Sequence, residues 1–190
     1  MEVLIFGLIV VLGTHSLKVF APAWRTALVA RLGDGPYKGL YSLVSLLGLV
    51  LIVWGFARAW QDPVFLYSPP AWGRHLAMAL MIPALILVFS SAFPARWIKR
   101  YVGHPLLTAT MLWALAHLFA NGDLAGVVLF LAFLAWAVVD RLWQPATQSV
   151  AAPPARPGNA DFAAIMAGLA LYAGLIAGIH LWLFGVSPIG

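Results

Sequence analysis

The sequence predicts an all-α, polytopic membrane bundle of about six transmembrane helices, with both termini outside the cytoplasm. Three observations carry this reading. Of the 190 residues, 63% are hydrophobic and 9% charged, whereas a soluble domain is about half apolar and about one-quarter charged. The 11 Lys+Arg and 6 Asp+Glu are too few to cover a water-facing surface. Apolar runs approaching the ~20 residues needed to cross a bilayer recur along the chain, and the basic residues gather in alternate loops.

The runs are expected over 3–20, 39–60, 72–93, 105–121, 124–143 and 162–185. The first differs from a signal peptide: its only preceding charge is Glu2, and no small-x-small cleavage site follows. It is expected to stay as a helix. The first, third and fifth loops hold Lys18, Arg25, Arg31 and Lys38, then Arg96, Lys99 and Arg100, then Arg141 and Arg156, against Arg58 and Arg74 on the other side. The positive-inside rule assigns the richer side to the cytoplasm. Pro83 lies within the third run, where it is expected to kink the helix. In Asn121-Gly122-Asp123, Asn and Gly suit a left-handed helix end and Asp123 can cap the next helix, making runs four and five a tight helical hairpin. Residues 144–160, rich in Ala and Pro, read as a flexible cytoplasmic linker before the last helix, which Asn159 or Asp161 caps. Gly174 and Gly178 have the spacing of a close-packing helix seam. Trp60, Trp72, Trp97, Trp143 and Tyr101 sit at run ends, as interfacial aromatics do.

Cysteine is absent, which leaves no disulfide, no thiolate metal site and no covalent haem attachment. The net charge of +5 fits cationic cytoplasmic loops better than a nucleic-acid partner. There is no Gly-rich phosphate loop, zinc-protease motif or serine nucleophile elbow. The acids Glu2, Asp34, Asp62, Asp123, Asp140 and Asp161 all fall at or near expected interfaces.

Chemistry therefore falls to the histidines, because an ionisable group inside the membrane is a functional candidate. His15 lies in Gly13-Thr14-His15-Ser16, with Lys18 three residues on and small Gly13 leaving room beside the ring. His117 shares a stripe with Trp113 and Asn121 at i−4 and i+4. For both, the competing reading is a hydrogen bond between helices. His104 precedes Pro105 at a helix entry, His75 follows Arg74 at the outer interface, and His180 points away from the Gly174/Gly178 edge. These three read more readily as interfacial groups and rank as weaker candidates.

Two helices with inward histidines can clamp haem b without a covalent link, whereas no close His/carboxylate cluster favours zinc. The two candidates are not at equal depth in upright spans. His15 lies ~6 Å to the cytoplasmic side of its run's midpoint and His117 ~6 Å to the outer side; tilt could close the gap.

At these residues the sequence resembles the NnrU family of bacterial membrane proteins. The resemblance runs from Gly13-Thr14-His15-Ser16 through Arg25-Thr26-Ala27-Leu28-Val29-Ala30-Arg31-Leu32-Gly33 and Gly35-Pro36-Tyr37-Lys38-Gly39-Leu40-Tyr41-Ser42. It continues through Gly103-His104-Pro105, Trp113-Ala114-Leu115-Ala116-His117-Leu118 and Asn121-Gly122-Asp123 to Asp140-Arg141. It implies a single integral-membrane domain over 1–190, an inner-membrane location, and an association with nitrite and nitric oxide reductase metabolism in denitrification. A related branch, 15-cis-zeta-carotene isomerase, is a haem b enzyme whose ligand histidines look like His15 and His117. That branch has a cysteine where this sequence has Ala114, which puts its ligand exchange, and with it carotenoid isomerisation, in doubt here.

Three functions compete. The first is a haem b protein supporting nitrogen-oxide respiration, with reductase components as partners. The second is a haem-dependent isomerase of a polyene. The third is a cofactor-free small transporter or assembly factor.

Overall fold

The computed structural model describes residues 1–144 and 156–189. The linker expected over 144–160 lies mostly outside the described residues. Among the described residues every regular element is helical: α1 (Glu2–Phe20), α2 (Pro22–Leu32), α3 (Asp34–Ala59), α4 (Gly73–Ala92), α5 (Arg96–Val102), α6 (Pro105–Ala120), α7 (Leu124–Trp143) and α8 (Asn159–Gly174). A π-helical turn, Leu175–Ile179, then leads into α9 (His180–Phe184).

Five helical spans are long and apolar enough to cross a membrane: α1, α3, α4, α7 and the run Asn159–Phe184. The fourth expected span needs correcting. At 16 residues, α6 is short for a bilayer that asks for about 20. It reaches span length only with α5, across a 66° bend. The bend falls at Gly103, whose φ of 75° suits glycine, and Pro105 opens α6 as expected.

The helices form two compact units. The first comprises Met1–Tyr67 and Gly122–Trp136. In it α1 packs on α3 through glycines, which let backbones approach where lipid supplies no hydrophobic drive between helices. A Cβ on Gly7 would meet the Ile52 backbone N at 2.7 Å, one on Gly48 would meet Val11 Cγ2 at 2.7 Å, and one on Gly55 would collide with the Leu4 backbone. Leu4, Leu8, Ile52 and Ala125 form the buried core. The eleven-residue α2 has no buried residue and carries Arg25 and Arg31; it is an interfacial helix within the first basic loop.

Also in this unit, Phe65 forms an isolated β-bridge with Asp123, and Val64 O accepts the Leu124 N–H at 2.7 Å. Asp123 caps α7 as expected, its carboxylate accepting the Gly126 N–H at 2.7 Å. The expected left-handed helix end does not form. Asn121 is extended, at φ −127° and ψ 128°, because the chain leaving α6 feeds directly into the pairing with residues 64–66.

The second unit comprises Ser68–Asn121 and Ala137–Gly190. Here α4 packs on both α6 and α8, and continues through Pro83. The core holds Leu87, Ile98 and Ala109. The packing glycine is Gly168, whose Cβ would meet the Ile86 backbone at 2.7 Å. The Gly174/Gly178 pair is not a seam: a Cβ on Gly178 would meet nothing within 4 Å. Gly178 is instead the break in the last helix, at φ 144° and ψ −13°, a conformation that L side chains avoid. The acids also differ from a wet interface. Asp123, Asp140 and Asp161 are 3%, 6% and 2% exposed, because the first and last of them cap helices.

Candidate functional site

His15 stands in the first unit, three residues before Lys18, which is exposed. Its Nδ1 lies 2.8 Å from the Val11 carbonyl, one helical turn back. A carbonyl oxygen only accepts, so Nδ1 is the donor. The ring sits between Tyr41 at 5.3 Å and Trp136 at 6.2 Å. Trp136 is held in turn by donating Nε1–H to Ser16 Oγ at 3.1 Å. Thr14 and Ser16 turn their hydroxyls to the carbonyls of Val10 and Leu12 at 2.6 Å each, so the polar residues flanking His15 are satisfied within their own helix. Space remains beside Gly13, where a Cβ would meet nothing within 4 Å.

His117 stands in the second unit with the same anchoring. Its Nδ1 donates to the Trp113 carbonyl at 2.8 Å, and the Trp113 ring lies 5.4 Å from the imidazole. Asn121 Nδ2 donates to the His117 carbonyl at 2.9 Å, tying off the end of α6. The stripe Trp113–His117–Asn121 is thus one connected group.

His117 also lines a cavity of about 150 Å³, shared with Arg74, Met78, Met81, Asn121, Tyr172, His180 and Ser187. His180, a weaker candidate in the sequence, lines the same cavity as His117, with Ile176 and Tyr172 four and eight residues before it. Its Nδ1 donates to the Val186 carbonyl at 2.7 Å. That bond forms because Gly185, left-handed at φ 71°, returns residues 186–188 along α9 to the cavity.

The remaining candidates stand apart from this cavity. His75 is exposed on the first turn of α4. His104 occupies the position before α6, and its carbonyl accepts the Thr108 N–H at 3.0 Å and hydroxyl at 3.1 Å. Tyr41 and Trp136 beside His15, and Arg74 and Tyr172 beside His117, were not visible as site residues, since only the fold brings them to the rings. Among the described residues no three His, Asp or Glu side chains gather as a metal site. Haem would ask less of the protein, histidine nitrogens rather than a cluster of three ligands.

The fold and these groups define a multi-pass integral membrane protein with anchored histidines inside its helices. The sequence model of the NnrU protein family matches residues 3–188, and the chain belongs to that family. No curated protein and no solved structure matches the chain at a significant level.

Proposed function

We propose that this NnrU protein holds haem b through His15 and His117 and serves nitrogen-oxide metabolism in the bacterial inner membrane. The observation that carries the haem reading is the ring anchoring common to both residues: Nδ1 donates to the carbonyl one turn back, at 2.8 Å in each case. Metal-ligating histidines almost always give their second ring N–H to a carbonyl, carboxylate or water, which fixes the tautomer and raises the basicity of the other nitrogen. In each ring Nδ1 is engaged with its own helix, and Nε2 is the nitrogen a haem iron would take.

The surroundings fit the same use. Tyr41, Trp136 and Trp113 give flat apolar faces beside the imidazoles, and Gly13 leaves space on its helix. When bound, haem would supply a one-electron redox centre, with a potential tuned by its histidine ligands and their hydrogen bonds. The chain's part is to present the two nitrogens, hold their tautomers and shield them from water. The metabolic assignment, with nitrite or nitric oxide reductase components as partners, is what the resemblance to NnrU proteins implies.

The test is the visible spectrum of detergent-purified protein, expressed with adequate haem supply. A stoichiometric Soret band, lost in both His15→Ala and His117→Ala, is the expected result. Absence of stoichiometric haem from the wild-type protein would end the reading.

A further inference from the structure

We propose that the cavity of the second unit is a binding site for a small free oxyanion, of the size of formate or nitrate. The argument starts from its lining. Among the residues that face it, Arg74 is the one with a fixed charge, and none is an acid. Asn121, Tyr172 and Ser187 add an amide and two hydroxyls, and His117 and His180 add imidazoles, against walls of Ala77, Met78, Met81 and Ile176. Polar side chains are costly inside a membrane protein and converge where a polar ligand or pathway is served. A guanidinium offers five N–H donors in a fork that matches two oxygens of one anion.

Size narrows the ligand. Sites for drug-sized molecules occupy about 300–1,000 Å³. A cavity of about 150 Å³ suits a species of only a few heavy atoms. Construction of the site points the same way. The left-handed Gly185 turns residues 186–188 back onto the cavity, and the His180–Val186 bond at 2.7 Å fixes that turn. The proposal shares His117 with the haem reading but does not rest on it, so the test uses Arg74 and His180.

The experiment measures the thermal midpoint of full-length protein in non-ionic detergent. Sodium formate, nitrate or sulfate replaces chloride at constant ionic strength, and haem content is assayed on the same samples. At tenfold excess over the dissociation constant, a ligand of the folded state raises the midpoint by about 3–6 °C for a chain of this size. The expected result is such a rise with formate and nitrate, smaller with the bulkier sulfate, lost in Arg74→Gln and in His180→Gln. Arg74 is exposed, so its variant keeps the fold. Arg58→Gln, in the first unit and beside Trp54, keeps the rise. An equal rise in Arg74→Gln and wild type would reduce the effect to general salt action and overturn the site. No rise with any free anion overturns it as well. So does stabilisation by phosphatidylglycerol micelles alone, which would assign the cavity to a lipid phosphate. A wild-type protein that lacks haem but shows the rise refutes the haem reading and leaves this one standing.

Discussion

The Asp161 carboxylate accepts the N–H of Ile98 at 3.0 Å with one oxygen and that of Gly158 at 2.9 Å with the other. Ile98 lies in the first turn of α5 and Gly158 just before α8, so one buried side chain satisfies the N-termini of two helices far apart in sequence. Each end presents unpaired N–H groups and a partial positive charge. Asp161→Ala leaves the buried Ile98 N–H and the partly buried Gly158 N–H without this acceptor. The expected cost is about 2–4 kcal/mol, read as a lower thermal midpoint. Asp161→Asn, which keeps one acceptor oxygen, should recover part of it.

The glycine contacts predict a contrast. Gly55→Ala drives a methyl into the Leu4 backbone, and overpacking of this kind costs about 1–3 kcal/mol. Gly13→Ala meets nothing within 4 Å and gains about 1 kcal/mol of helix propensity. Thermal midpoints of the two variants should move in opposite directions from wild type. A tolerated Gly55→Ala would contradict the α1–α3 seam.

Tyr67 predicts a pH dependence. It lies outside the spans, and burial, followed by the Asp123 charge, holds its phenol above the usual 10.0. Folding therefore favours the neutral phenol. Its contribution to stability is complete below pH 10 and is lost as the pH rises through the raised value. Denaturation midpoints followed from pH 9 upward should fall more steeply in wild type than in Tyr67→Phe.

The absence of cysteine makes topology directly testable. The loop charges predict that a single cysteine introduced at Ser187 is labelled by a membrane-impermeant maleimide from outside intact spheroplasts, and one introduced at Pro94, exposed in the third loop, is not. Labelling at the two positions in the reverse sense would invert the orientation.

Much of this structure is legible in the sequence because lipid writes its demands plainly. A span must be apolar for most of its length, so α1, α3, α4 and α7 begin and end close to where the apolar runs do. What escapes is what lipid does not dictate. The eleven residues of α2 include two arginines and are too short and polar to read as a span. The 66° bend between α5 and α6 joins an apolar run to a basic stretch, Arg96–Val102, that composition reads as loop. The seam glycines Gly7, Gly48 and Gly55 sit on two helices, and sequence alone does not give the register between them. His15 and His117 stand out because each is polar in an apolar helix. His180 did not, because only the fold brings Arg74, His117 and residues 186–188 to the cavity that it lines.

The central claim is that His15 and His117 hold haem. Oxidised and dithionite-reduced visible spectra of the purified protein test it most directly, read beside the single variants His15→Ala and His117→Ala and the control His75→Ala, whose ring is exposed. The account predicts a Soret band with sharpened α and β bands on reduction in wild type and His75→Ala, and its loss in each of the other two. A wild-type spectrum with no stoichiometric haem, or a band that survives both substitutions unchanged, would contradict it.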